Sequence, residues 1–152
     1  VEPAQDALVC QRIGEIPIGF YAHRRYLEQH GIPQTLEALA GHRLIGFDRP
    51  LPYVRAALAS RPDLAGIQFA FRSDSNLAQF AMLRAGGGIG MCQVGIARRH
   101  SDLMPLLPEA PMLSLETYVV MHENLKSAPR CRVAFDALVA GLRDYLSEGG
   151  RT

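Results

Sequence analysis

The chain has 152 residues, 48% of them in the AVILMFWYC set and 20% charged, which suffices for a buried core and excludes an intrinsically disordered segment. Sixteen basic and fifteen acidic residues, scattered along the chain, leave a formal charge of +1 and exclude the electrostatic footprint of a nucleic-acid-binding surface. Cys10, Cys92 and Cys131 are odd in number and lack a CxxC pair, which argues against a disulfide framework or zinc site and for a reducing compartment; all three read as buried small hydrophobes. No run spans a bilayer and no signal peptide is visible.

The opening segment Leu8 to Ile13 is strand-like. Gly14-Glu15 interrupts it, and Ile16 to Ala22 forms a second strand. Arg24 to His30 reads as a short helix stopped by Gly31, with Pro33 just beyond. A further short helix starts at Thr35-Leu36-Glu37 and ends at Gly41; Arg43 to Phe47 is a buried-type strand. Asp48-Arg49-Pro50 is a turn, because the residue before a proline is pushed out of the helical region.

Tyr53 to Ser60 reads as a helix with Pro62 beyond it, and Gly66 precedes a strand at Ile67 to Phe71. Leu77 to Arg84 is apolar on most sides and is expected to be buried between layers. Ile89 to Met91, Leu103 to Leu107 and Glu116 to His122 read as strands, and Val94 to Arg99 as one or two helical turns. In the last helix, Cys131, Phe135, Leu138, Leu142 and Tyr145 form one stripe at helical spacing. Pro129 suits its first turn and Gly149-Gly150 its exit. Strands alternating with helices predict an α/β fold with a mainly parallel sheet.

Ligands of such sheets sit off the carboxyl ends of the strands. Three loops follow strand ends here: Asp48-Arg49, Ser73 to Asn76, and Cys92-Gln93. If their strands are neighbours, the loops converge. The polar turn Ser73-Asp74-Ser75-Asn76 places hydroxyls and backbone N–H groups at a helix N-terminus, where a small anion can be held without metal or cofactor. Asp74 favours a cationic group instead, and capping of the helix alone is the competing reading.

Other motifs carry less. Gly86-Gly87-Gly88-Ile89-Gly90 has a helix before it and a strand after it, the reverse of a dinucleotide fingerprint, and reads as a helix C-cap with a close-packed turn. The five histidines show no i, i+4 helical pair and no HExxH, so no metal site is expected. There is no GxSxG elbow and no Cys–His motif, so no enzyme activity is expected.

Five motifs in order resemble one known family. They are Tyr26-Leu27 with Gly31-Ile32-Pro33, Leu39-Ala40-Gly41-His42-Arg43-Leu44-Ile45, Ser73-Asp74-Ser75-Asn76-Leu77, Ala85-Gly86-Gly87-Gly88-Ile89-Gly90, and Pro129-Arg130-Cys131-Arg132-Val133-Ala134-Phe135. Together they resemble the effector-binding domain of LysR-type transcriptional regulators. The resemblance implies a periplasmic-binding-protein-like domain of two α/β lobes, with a small-molecule effector in the cleft between them.

On this reading residues 1–15 are the hinge or crossover strand, and 16–106 the second lobe. Residues 107–152 return to the first lobe with its C-terminal strand and helix. Ser73, Asp74, Ser75 and Asn76 match the family's effector-contacting segment. Phe20, Tyr21 and Asp48 would line the second lobe's side, and Gln93 stands where the family often has a leucine-proline pair. Gly87, the middle residue of the family's glycine turn, is expected to loosen it.

The resemblance further implies a cytoplasmic, non-enzymatic sensor with no cofactor and no membrane partner. Operator DNA would be bound only through an N-terminal helix-turn-helix that does not form part of this chain. Because the last helix should pack on lobe one, the chain is expected to self-associate as a homo-oligomer through 130–146 or 116–122. A solute-binding protein of a transport system and a small α/β enzyme using Ser73 or Asp48 are the alternatives.

Overall fold

The computed structural model describes residues 7–49, 52–59, 67–108 and 113–149. In chain order the elements are β1 (Leu8–His23), α1 (Arg24–His30), a 3-10 turn (Glu37–Gly41), β2 (Leu44–Gly46), α2 (Pro52–Ala59), β3 (Phe69–Arg72) and α3 (Asn76–Arg84). They continue with β4 (Ile89–Gln93), α4 (Val94–Ala97), β5 (Leu103–Leu106), β6 (Leu113–His122), a second 3-10 turn (Glu123–Leu125) and α5 (Pro129–Gly149). Pro50, Ser60, Pro62, Gly66 and Gly150, which punctuate the sequence reading, lie outside the described residues. The chain divides into two units, one of Val1–Pro17 with Ser114–Thr152 and the other of Ile18–Leu113.

The second unit is built on a sheet of order β3-β2-β4-β1-β5. β2 runs parallel to β3 and to β4, so the parallel core expected from alternating strands and helices is present. β1 is antiparallel to β4, with Phe20 opposite Met91 and Tyr21 opposite Gly90, and antiparallel to β5 on its other edge. The sheet is therefore mixed. Strand alternation sends successive side chains to opposite faces, and the two core clusters follow it. Ala22, Leu44, Ile89 and Leu106 join Tyr26 and Leu27 of α1 and Leu39 of the 3-10 turn. Tyr21, Ile45, Cys92 and Leu103 join Leu83 of α3 and Ala97 of α4. Helices thus cover both faces, and β2 is buried throughout as a central strand must be.

Three glycines shape the turn from α3 into β4. Gly86 takes φ +74, past the end of α3, as a C-terminal stop does. A Cβ on Gly88 would run into the backbone carbonyl of Arg43. A Cβ on Gly87 would strike the Met82 side chain, so this turn is closely packed rather than loosened.

In the first unit β1 pairs with β6. Here the structure corrects the reading of two strands broken at Gly14-Glu15: β1 runs unbroken through both residues. Gly14 absorbs the irregularity at φ +149, and a Cβ there would lie 2.8 Å from Leu146 Cδ1 of α5. The pair is a point of close approach to a helix and not a turn.

α5 also departs from its expected stripe. Phe135 is buried and Cys131, Leu142 and Tyr145 are half-buried, but Leu138 is 58% exposed and Val139 takes the inward place. The cause is the 3.6-residue period, which carries the packed face from 135 to 139 before it returns to 142. α3 is likewise not sandwiched between layers. Its Leu83 is 1% exposed while Leu77 is 82% exposed, because a helix lying on one sheet face buries one stripe only.

Candidate functional site: the strand-end loops of the second unit

Parallel pairing of β3, β2 and β4 puts their carboxyl ends at one edge of the sheet. The first two loops meet there. Ser73 N–H donates to the Gly46 carbonyl at 3.0 Å, tying the end of β3 to the end of β2. Asp74 then reaches across: Oδ1 accepts the Arg49 backbone N–H at 2.7 Å, and Oδ2 lies 3.3 Å from Arg49 Nε. The Arg49 backbone N–H first, with its guanidinium and the Asp48 N–H adding to it, holds the Asp74 carboxyl below the usual carboxylate range. Asp48 itself sits in an exposed bend beside this clamp.

The turn into α3 is ordered by its own side chains. Ser73 Oγ accepts Ser75 N–H at 3.2 Å, and Ser75 Oγ accepts Ala78 N–H at 3.3 Å, a side-chain N-cap. The Gln79 side-chain amide donates to the Ser73 carbonyl at 2.6 Å. Capping accounts for the amide of Ala78. Those of Asn76 and Leu77 have no acceptor within the helix itself, as helix geometry dictates for the first turn. The edge therefore combines a fixed carboxylate, an exposed guanidinium and first-turn amides. Such a set offers hydrogen-bond partners to both an anionic and a cationic or donor group.

Gln93 ends β4 and stands at the N-cap position of α4, half-buried, opposite Ile18 of β1. Its carbonyl accepts the Cys92 thiol at 3.5 Å. Burial pushes that thiol up to about 11, which leaves it protonated and poorly nucleophilic at neutral pH. Phe20 is half-buried against the first core cluster and Tyr21 is buried in the second, so both have a core role in the sheet. The structure thus brings together Asp48, Ser73, Asp74, Ser75 and Asn76, with Gln93 closing the neighbouring strand. Gln79 is a member that sequence reasoning passed over, and Arg49 one that it placed in the converging loops without a role. Their signal, opposite charge in the Arg49 loop and an amide four residues beyond the cap, has meaning only once β3 is known to lie beside β2.

Outside this edge, His23 caps α1: its Nδ1 accepts Arg25 N–H at 3.1 Å and its Nε2 lies 3.0 Å from Asp102 Oδ2. Both ring nitrogens are engaged in structure. Among the described residues no group of three or more His, Cys, Asp or Glu side chains could hold a metal ion, and no helix is long and apolar enough to cross a membrane.

The sheet order, the helices on both faces and the strand-end loops define an α/β domain of the periplasmic-binding-protein type. Residues 2–143 match the family model described as LysR substrate binding domain. An uncharacterized HTH-type transcriptional regulator of Haemophilus influenzae is 31% identical over 128 residues, 81% of this chain and 44% of that protein. The regulatory domain of CrgA, a LysR-type transcriptional regulator from Neisseria meningitidis, superposes with a TM-score of 0.76 at 25% identity, covering 93% of this chain and 72% of that one. The regulatory domain of AphB from Vibrio vulnificus shares the fold at a TM-score of 0.64 and 16% identity, with 91% and 70% covered. The chain belongs to the LysR substrate-binding domain family. It spans less than half the length of its curated relative.

Proposed function

We propose that this chain is the effector-sensing domain of a cytoplasmic, DNA-binding transcriptional regulator of the LysR type. It binds a small molecule and performs no chemistry on it. In this reading the second lobe is 16–106, the first-lobe segment is 107–152, and 1–15 is the hinge strand joining them. The whole regulator contacts operator DNA through a helix-turn-helix outside this chain. It works as a homo-oligomer, with α5 or β6 as the self-association surface. Effector binding shifts the population between conformations that differ in DNA contact.

The observation that carries the reading is the Asp74–Arg49 clamp, which joins two strand-end loops of a LysR substrate-binding domain beside a capped helix N-terminus. The effector's recognised group is a carboxylate or similar small anion set against Arg49 and the first-turn amides of α3, with Asp74 orienting the guanidinium. Gln93, Ser73, Ser75 and Asn76 supply neutral hydrogen bonds, and Phe20 and Tyr21 support the sheet behind them.

The test is amide-resonance mapping of the isotope-labelled chain with a panel of small carboxylates chosen by thermal shift. Shifts concentrated on 48–49, 73–79 and 93 are expected. A stabilising carboxylate whose shifts cluster elsewhere, or a panel without any stabilising member, would contradict the proposal.

A further inference from the structure

A second polar cluster stands at the other end of β2, around Tyr26. Its side chain is 1% exposed. The hydroxyl accepts the Arg43 backbone N–H at 2.9 Å and lies 3.2 Å from His42 Nδ1. An amide nitrogen can only donate, so of these two partners only His42 Nδ1 is able to accept the hydroxyl's single proton. With that bond made, Nδ1 is the acceptor, which assigns His42 as the neutral ring protonated on Nε2.

His30 is specified in the opposite sense. Its Nδ1 lies 3.0 Å from the Tyr26 carbonyl, which only accepts, so Nδ1 carries the proton. Its Nε2 faces Arg43 Nη2, a donor, at 3.5 Å. The His30 ring stacks on Tyr26 with centroids 4.3 Å apart, and the Arg43 guanidinium lies 5.4 Å from the centre of the Tyr26 ring. One buried phenol is thus surrounded by an arginine and two imidazoles. Tyr26 and His30 face His42 from α1, and the cationic Arg43 follows it in the chain.

We infer that the Tyr26–His42–Arg43 hydrogen-bond chain is a proton-operated latch. With His42 neutral, the connection 31–43 is locked onto α1. Protonation of His42 at Nδ1 opposes an N–H to the Tyr26 O–H. The hydroxyl oxygen then accepts from both neighbours, and its own buried proton loses its acceptor. It also places a new cation beside His30 and Arg43.

Arg43 transmits the change. Its carbonyl accepts Ile89 N–H at 2.8 Å at the start of β4, and the next residue begins β2, which leads to the Arg49 loop. Burial first, and the electrostatic influence of His30 second, hold His42 below the usual imidazole range. A lowered imidazole stabilises the fold fully above the ordinary value of 6.5, and that contribution is lost as pH falls below it through the lower folded value.

The experiment is imidazole nitrogen NMR on the 152-residue chain, with urea midpoints across the same pH range. The expected result is His42 in the Nε2–H form, titrating below an unshifted histidine, with the Arg43 amide resonance moving at the same midpoint. In that window the folding equilibrium constant falls by up to about tenfold per pH unit. His42→Asn keeps an acceptor for Tyr26 and cannot titrate, so it should be as stable as the parent at neutral pH and should lose that window. Tyr26→Phe removes the hydroxyl that links the two residues and should uncouple the Arg43 amide resonance from the His42 titration. His42 found as the Nδ1–H form or titrating at or above the ordinary value would overturn the latch, as would His42→Asn losing stability in acid as the parent does.

Discussion

Asp74 shows how one side chain organises the strand-end edge. Its carboxylate takes two donors from Arg49, one from the backbone and one from the side chain, and so couples the loop after β2 to the turn before α3. Asp74→Asn retains the shape and the Ser75 cap but removes the charge. The expected outcome is faster hydrogen exchange at the Arg49 amide with little change in global stability, because the group is exposed and screened. The pH dependence has a definite sign. The carboxyl is lowered in the fold, so its contribution is complete above the ordinary value of 3.8 and is lost as pH falls below it. The Arg49 amide resonance in an acid titration reads that loss, and an amide indifferent to both pH and the substitution would refute the clamp. The cap at Ser75 is legible in sequence, since a serine before an apolar helical run has one dominant local use. Arg49 is not, since its partner lies 25 residues away and their meeting depends on strand order.

At the level of elements, local pattern reads well where local physics decides. α1 is bounded by His23 and Gly31 and has the limits its stop signal implies. The glycine run after α3 reads correctly as a stop and a tight turn because the order of helix and strand is visible in the chain. Tertiary packing decides the rest. Gly14 appears as a break in a strand, and only the approach of Leu146 shows it to be a seat for a neighbouring helix. The heptad-like template on α5 selects Leu138, whereas the packed face passes through Val139. α3 is apolar enough to read as buried, yet it meets the sheet on one side. This gives a paired test. Leu83→Ala should cost about 2–5 kcal/mol, and Leu77→Ala should stay within about 0.5 kcal/mol, both from urea midpoints. Comparable losses at the two positions would mean that α3 is covered on its outer face as well.

For the whole molecule, the mixed sheet with helices on both faces, the strand-end loops and the family match over residues 2–143 support the proposed use, recognition of a small molecule. The near-neutral charge that argues against a nucleic-acid surface is consistent with a regulator whose DNA contact lies in another domain. Family membership is legible in five weak motifs because each marks a backbone necessity of the fold: a helix stop, a buried strand, a cap, a tight turn, a helix start. The effector is not legible, because on the proposed reading its recognition is assembled from loops distant in sequence. The most direct measurement of the central claim is the sequence of the genomic reading frame that encodes Val1 and what precedes it. The account predicts a helix-turn-helix, a long amphipathic linker helix and further strand–helix units in frame upstream. A secretion signal joined directly to a binding lobe would contradict it and make the protein a transport receptor.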